Sequence, residues 1–197
     1  MLGLPKVTEL NKPLPKTVIY TRFQMNAAEK AKIDSDISRI VIVNEVSAAK
    51  LNLAPGETVQ TFFVLQVQLK RKEFSEKTLA TLSKLIPQNI VLLLEYEGQA
   101  KLAVYYTKLL QTSWCDPAAL TLSIKGLTMD AVWENVVIQI GDIKLQSGNT
   151  LEQQIALDEQ RKKLEREIAR LEKLARAEKQ PKKKFELVKM ISSLKNR

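Results

Sequence analysis

The spacing of apolar residues changes at residues 146–149, and this change constrains the fold more than any other feature of the sequence. Before it, apolar residues occur in short runs and alternating stretches that Pro, Gly and Asn separate, a pattern typical of sheet strands. After it, apolar residues follow a seven-residue repeat, which is typical of long paired helices. The repeat consists of Leu157, Leu164, Leu171, Ile168 and Ala175.

The pattern of apolar residues before residue 146 predicts several strands. Residues 39–43 and 90–95 are rich in β-branched and aliphatic residues, and residues 101–106 follow the turn Glu97-Gly98 to complete a hairpin. A last strand is predicted over residues 120–124. The longest strand is predicted over residues 59–70. Its second half alternates, with Leu65, Val67 and Leu69 on a covered face and Gln66, Gln68 and Lys70 on an open one.

Helices are predicted between these strands. Asn26 and Glu29 form a capping-box pair for a helix over residues 27–37, and residues 75–86 predict a helix that ends at Pro87. A further helix follows over residues 128–140. Because a helix separates the strand ending at Lys70 from the strand over residues 90–95, we expect those two strands to be parallel.

The predicted class is therefore α+β, a mixed α/β sheet domain followed by a C-terminal antiparallel helical hairpin or coiled coil. We expect an extended Pro- and Lys-containing arm over residues 1–16, the α/β domain over residues 17–145 and the hairpin over residues 150–197. Thr150 and Gln153 are spaced to cap the long helix, and Pro181 separates it from a shorter one.

The shorter helix is about half the length of the longer one, so it covers only the C-terminal part of the apolar stripe. The uncovered apolar stripe can be buried in three ways: by folding back on the domain, by self-association as a coiled coil, or by docking on another protein. The predicted partner-binding residues are Leu157, Leu164, Ile168 and Leu171.

The amino-acid composition excludes several classes of catalytic, metal and disulfide site. The 197-residue chain has no histidine and one cysteine, Cys115. Histidine-based triads, zinc fingers and an intrachain disulfide are therefore excluded. No apolar run approaches the length of about 20 residues that a membrane helix needs, and the N-terminus lacks a secretory pattern. We expect a cytoplasmic protein without a membrane span, a metal site or a cofactor.

Positive charge is concentrated near the C-terminus. The formal net charge is +9, and residues 151–197 contain 14 basic and 8 acidic residues. This balance favours nonspecific binding to nucleic acid, although a solvated charged helix explains it too. The predicted nucleic-acid-binding residues are Arg161, Lys162, Lys163, Lys182, Lys183 and Lys184.

One enzymatic alternative is a divergent Mg²⁺-dependent nuclease whose sheet carries an acid and then Glu/Gln-x-Lys. Gln68 and Lys70 match the second half of that pattern, and Glu45, Glu57, Asp34 or Asp36 can supply the acid. An exposed polar face on an alternating strand explains the same residues, so no catalytic residue is assigned. The chain has no glycine-rich phosphate loop. Of the two tryptophans, Trp133 is predicted to be core, and Trp114 is the better candidate for stacking on bases.

The whole chain resembles an uncharacterised prokaryotic family catalogued as domain of unknown function 4391. The residues that carry the resemblance are Gly3, Leu4, Pro5, Lys6, Pro15, Lys16, Leu51, Asn52, Leu53, Gly56, Glu57, Ile86, Pro87, residues 94–98, Trp114, Leu127, Asp130, Ala131, Glu178, Lys179 and Gln180. Pro181 departs from the smoother turn that the family pattern favours.

The resemblance implies a context rather than a reaction. Members of the family tend to be encoded beside DNA methyltransferases and helicases in restriction-like or anti-phage loci. The sequence and the resemblance together predict a non-catalytic accessory or adaptor protein. Its expected partners are a helicase or DNA methyltransferase, nonspecific nucleic acid and, through the C-terminal helices, a second copy of the chain.

Overall fold

The computed structural model describes residues 2–85 and 88–195 of the chain. The chain divides into two compact units, Met1–Ile143 and Lys144–Arg197. The strands are β1 (Glu9–Pro13), β2 (Ile37–Ser47), β3 (Thr61–Leu69), β4 (Asn89–Tyr96), β5 (Gln99–Tyr105) and β6 (Leu109–Gln111). The helices are α1 (Lys16–Arg22), α2 (Ala27–Asp36), α3 (Ala48–Leu51), α4 (Glu76–Leu85), α5 (Met129–Gly141), α6 (Leu151–Ala177) and α7 (Pro181–Lys195).

The first unit contains one six-stranded mixed sheet whose strands lie in chain order from β1 to β6. β3 and β4 are parallel, and the other neighbouring pairs are antiparallel. The parallel pair is joined by α4, as the sequence predicts, because a parallel connection needs a crossover long enough to return to the same end of the sheet. The predicted end of α4 at Ile86 and Pro87 lies outside the described residues.

Helices cover both faces of the sheet. On one face, the alternating residues of β3 pack in a continuous core with side chains from α1, α2 and α4. The core side chains from these elements include Ile19, Ile33, Leu65, Val67, Leu69, Leu79 and Leu82. On the other face, the ring of Phe62 lies 5.3 Å from that of Trp133 on α5, so Trp133 is a core residue as predicted.

Local signals in the sequence form the caps and turns they predict. The Asn26 side chain accepts a hydrogen bond from the backbone N of Glu29, and the Glu29 carboxylate accepts one from the Asn26 backbone. The β4–β5 turn has positive φ at both Glu97 and Gly98, which matches the twist of a two-residue hairpin. These features need only neighbouring residues to form.

The predicted strand over residues 120–124 is wrong. Thr121 makes only an isolated bridge to Leu2, and the Gln139 side chain takes the place of a neighbouring strand at Ser123. The Ser123 backbone N donates to Gln139 Oε1 at 2.9 Å, and Gln139 Nε2 donates to the Ser123 carbonyl at 2.8 Å. The last strand is instead β6, which sequence analysis missed because it has only three residues.

The N-terminal arm is extended in part and enters the sheet. Its residues Glu9–Pro13 form the edge strand β1, all five of them exposed. Asn11 has φ of +50° and the register with β2 is irregular, while Pro13 lacks a donor N–H. These features discourage further strand pairing at this edge.

The second unit is a helical hairpin. Thr150 and Gln153 form the predicted capping box at the start of α6, and α7 begins at Pro181, whose fixed φ suits the first turn of a helix. Leu171 and Ala175 of α6 and Ile191 of α7 form the small core between the two helices. Within the described residues, no helix is both long and apolar enough to cross a bilayer.

Candidate functional site

The six predicted nucleic-acid-binding residues are all exposed on the hairpin. Lys182, Lys183 and Lys184 occupy the first turn of α7, directly after Pro181. Arg161, Lys162 and Lys163 lie near the middle of α6. Among the described residues, only Lys163 of these six forms an ion pair, with Glu159 at 3.3 Å.

The structure does not bring the two basic segments into one patch. Lys163 is 14 residues before Ala177, the end of α6, which corresponds to about 21 Å along the helix axis. Lys182 follows after a connection of only three residues. The two segments therefore lie about two nanometres apart along α6, a distance suited to a long polyanion rather than to a single phosphate group.

The start of α7 has an unusual electrostatic arrangement. A helix N-terminus carries partial positive charge, and acidic side chains in the first turn normally offset it. The first turn of α7 has no acidic residue and instead presents Lys182, Lys183 and Lys184. Three positive side chains therefore lie close together at the positive end of the helix dipole, and a bound anion would reduce the repulsion between them.

The predicted partner-binding residues divide into two groups. Leu171 is buried in the hairpin core and Ile168 packs against it, so both contribute to pairing of α6 with α7. Leu164 is half-buried and Leu157 is 46% exposed. At its last described residue, Lys195, α7 pairs with Glu172 at 2.8 Å, so Leu157 and Leu164 continue the stripe past the end of α7.

The acids named first for the nuclease alternative lie far from Lys70. Glu45 is opposite Phe63 in the β2–β3 register, whereas Lys70 follows Leu69 at the other end of β3. Seven strand residues correspond to roughly 23 Å. The Glu45 carboxylate instead pairs with Lys50 Nζ at 2.8 Å. Glu57 precedes β3, so the whole strand separates it from Lys70.

Asp34 and Asp36 are the acids that the structure places beside Lys70. Lys70 Nζ donates to the Asp34 carbonyl at 2.6 Å, and its backbone N donates to the Asp36 carbonyl at 2.9 Å. Their carboxylates have other partners. Lys16 and the Tyr20 hydroxyl bind the Asp34 carboxylate and hold its pKa below the usual range.

Asp36 is almost fully buried, and burial alone would raise its pKa. The Arg71 guanidinium and the Ser75 backbone N, which donate to its two oxygens, lower the pKa instead. Both carboxylates thus tie helices α1 and α2 and the end of β3 together.

Gln68 lines an open polar cleft of about 360 Å³. The cleft is lined by Asn11, Ser38, Arg39, Val41, Gln66 and Gln68, none of which is acidic. In the part of the chain that the structure describes, no group of three or more His, Cys, Asp or Glu residues is placed to hold a metal ion. Gln68 and Lys70 are therefore not joined by Glu45 or Glu57 in one site.

Trp114 is not a free stacking platform. Its ring is half-buried against the core and lies 5.0 Å from Lys101 Nζ and 5.9 Å from Lys72 Nζ. Phe74 contacts the same Lys101 ammonium at 4.7 Å. The aromatic residue that sequence analysis favoured for base stacking thus contributes to the environment of a buried lysine.

Comparison with known protein families finds a match over nearly the whole chain. The family described as Domain of unknown function (DUF4391) matches residues 2–197. The chain belongs to this family. Comparison of the chain with curated proteins and with solved structures finds no match.

Two segments that carried the family resemblance meet in the first unit. The Asp130 carboxylate accepts hydrogen bonds from the backbone N of Glu57 at 2.6 Å and of Val59 at 2.7 Å, and from the Thr58 hydroxyl at 2.8 Å. A Cβ on Gly56 would come within 2.5 Å of Asp130 Oδ1. Gly56 and Asp130 therefore form a structural clamp between the loop before β3 and the first turn of α5.

Proposed function

We propose that this protein is a non-catalytic accessory factor of the cytoplasm that binds the phosphate backbone of nucleic acid through its helical hairpin. It works beside a partner protein, a helicase or DNA methyltransferase of a restriction-like or anti-phage system, the context that the family resemblance implies. The observation that carries the proposal is the cluster Lys182, Lys183 and Lys184 at the exposed start of α7.

Three features of that cluster support phosphate binding. The lysines lie at the positive end of the helix dipole, where an anion is favoured and additional cations are disfavoured. None of the three has an ion-pair partner within the described residues. The second basic segment, Arg161, Lys162 and Lys163, lies about 21 Å away along α6, a distance comparable to several phosphates of a nucleic-acid strand.

The expected binding does not depend on base sequence. Lysine ammonium groups contact phosphates as point charges, and phosphate contacts position a protein without reading bases. The tryptophans give no alternative base contact, because Trp133 is core and Trp114 lies against Lys101 and Lys72. Affinity should therefore fall steeply with salt and differ little between sequences.

The test measures fluorescence anisotropy of labelled duplex DNA, single-stranded DNA and RNA at several salt concentrations. The variant Lys182→Gln/Lys183→Gln/Lys184→Gln should bind more weakly. Its log–log salt slope on duplex DNA should be shallower by about 0.9 for each phosphate that the protein no longer neutralises. The matched control Lys32→Gln/Lys77→Gln/Lys125→Gln removes the same charge from exposed positions of the first unit and should retain wild-type binding.

Two outcomes would contradict the proposal. The first is affinity that does not change between about 50 and 200 mM salt, the range over which counterion release has a large effect. The second is Mg²⁺-dependent cleavage of the same nucleic acids that is abolished in Lys70→Ala and in Glu45→Ala or Glu57→Ala. The second result would establish the nuclease alternative.

A further inference from the structure

The hairpin has a smaller core than two paired helices of this size need. Among the described residues, the core between α6 and α7 buries only Leu171, Ala175 and Ile191, and each keeps 7–9% of its surface exposed. Several large apolar side chains of the two helices remain about half exposed: Leu174, Val188 and Met190. The hairpin therefore leaves apolar surface uncovered on at least one side.

That surface forms a groove along one side of the hairpin, between α6 and α7. It consists of two open cavities of about 450 and 600 Å³ that share Glu186 and Met190. Leu174 and Leu187 contribute to its apolar surface, and Met190, at the junction of the two cavities, is 54% exposed. Methionine side chains adapt their shape to a partner, so Met190 suits a central contact.

The charges along the groove are balanced, unlike those of the rest of the hairpin. Three acidic and three basic side chains line the two cavities: Glu167, Glu178, Glu186, Arg170, Lys183 and Lys189. A strongly acidic or strongly basic partner would therefore find no complementary field in the groove. A partner surface on which acidic and basic side chains alternate would be complementary to the groove.

The order of these charges selects a second copy of the chain. On α7, the acid Glu186 precedes the base Lys189 by three residues, so both lie on the same side of the helix. When two copies of α7 meet antiparallel across a two-fold axis, Glu186 of each copy faces Lys189 of the other. Neither residue forms an ion pair inside its own described chain. A two-fold contact therefore satisfies both residues twice.

We infer that the α6/α7 groove is a self-association surface in which the hairpins of two copies form a four-helix bundle, with the two-fold axis crossing α7 midway between Glu186 and Lys189. This inference does not depend on the proposed nucleic-acid binding. Of the three lysines at the start of α7, only Lys183 also lines the groove, and the dimerisation variants leave it unchanged. Two copies would present two basic surfaces, so dimerisation and nucleic-acid binding can be measured separately on the same full-length protein.

The test is sedimentation velocity of the full chain over a concentration series. The wild type should form a dimer, and Glu186→Lys and Lys189→Glu should each raise the dimer dissociation constant at least about tenfold, because each replaces two attractive contacts by two repulsive ones. Mixing the two variants in equal amounts should restore dimers, since the introduced lysine of one copy then faces a glutamate of the other. The double variant Glu186→Lys/Lys189→Glu should restore them as well.

Two controls keep the result specific. Lys173→Glu reverses an exposed charge elsewhere on α6, and Phe185→Ser removes an apolar side chain that is 71% exposed and does not line the groove. Both should dimerise like the wild type. A wild type that stays monomeric, single reversals that leave the dimer intact, or a variant mixture that fails to recover dimers would each overturn the inference. Anisotropy measured on the same variants shows whether nucleic-acid binding persists.

Discussion

The two units of this chain bury their apolar residues to different extents. In the first unit the sheet residues Phe62, Val91, Leu92 and Val104 are fully buried between helices on both faces. In the core between α6 and α7 the buried residues keep part of their surface, and large apolar side chains such as Phe185 remain in solvent. The first unit therefore encloses fully buried side chains, whereas each buried residue of the hairpin core keeps some contact with solvent.

The largest effect expected from this difference concerns matched leucine truncations. Leu92→Ala removes a side chain with 0% exposure and should destabilise the first unit by about 3–5 kcal/mol, because a cavity remains in a tightly packed core. Leu171→Ala, at 7% exposure in the hairpin, should cost less, about 2 kcal/mol, since water can reach the vacated space. Urea denaturation measures both.

Two probes separate the units in that experiment. Both tryptophans, Trp114 and Trp133, lie in the first unit, so fluorescence follows its unfolding, while circular dichroism follows the helices of both. Leu171→Ala should shift the dichroism transition and leave the fluorescence transition in place. Equal shifts of both signals would show that the units unfold together, which would break the comparison.

A second prediction concerns the clamp between the loop before β3 and α5, which belongs to the tightly packed first unit. Gly56→Ala should destabilise the first unit by about 1–3 kcal/mol, because its Cβ would lie 2.5 Å from Asp130 Oδ1 and from the Val59 carbonyl oxygen. The control Gly148→Ala changes a glycine of the second unit whose φ is +90°, so alanine strains the backbone there, although no atom lies within 4 Å of the new Cβ. It should leave the fluorescence transition unchanged.

Acid denaturation examines the same clamp. Hydrogen bonds from the Thr58 hydroxyl, and then from the backbone N of Val59 and Glu57, lower the pKa of Asp130. Its contribution to stability is therefore present above the ordinary Asp pKa of about 3.9 and is lost as pH falls through the lower folded value. Asp130→Asn should be less stable at pH 7 and lose less stability on acidification. Parallel acid curves for both proteins would contradict this.

The smallest expected effect concerns the one lysine that the described part of the first unit buries. Lys101 is 7% exposed, its Nζ donates to Gln111 Oε1 at 2.7 Å, and burial lowers its pKa although Glu76 acts in the opposite direction. Because the neutral amine is favoured in the folded protein, stability should rise with pH from the lowered pKa up to the ordinary value of about 10.4.

Lys101→Met removes that pH dependence. Its stability at pH 7 should lie within about 1 kcal/mol of the wild type, since an apolar side chain of similar length fills the space between Phe74 and Trp114. Urea midpoints compared at pH 7 and at about 10.4, the upper end of that range, measure the difference. A variant whose midpoint rises with pH as the wild type does would place the titrating group elsewhere.

Elements that depend on neighbours in sequence were predicted correctly. The capping boxes at Asn26 and Thr150, the Glu97–Gly98 turn and the alternation of β3 each follow from residues within one or two turns of the chain. The wrong strand over residues 120–124 has the right local propensity. Its backbone bonds instead to the side chain of Gln139, a residue 16 positions away that no local pattern connects to Ser123.

The candidate residues show the same limit. Sequence analysis identified the basic segments of the hairpin because exposed lysines need no partner to be recognised. It could not select the acids near Lys70, since the β2–β3 register, which places Asp34 and Asp36 there and Glu45 at the other end, depends on how the two strands pair. It also did not find the α6/α7 groove, whose charges come from both helices.

The sequence by itself determined the α+β class, the caps and the distribution of charge, because periodicity, turn residues and composition act over short distances. Only the tertiary structure decided which distant groups meet: Asp130 with a loop 73 residues earlier, Lys101 with two aromatic rings, and the two sides of the hairpin groove. Those contacts form when the chain packs, and packing depends on the shape and burial of the whole unit rather than on any one segment.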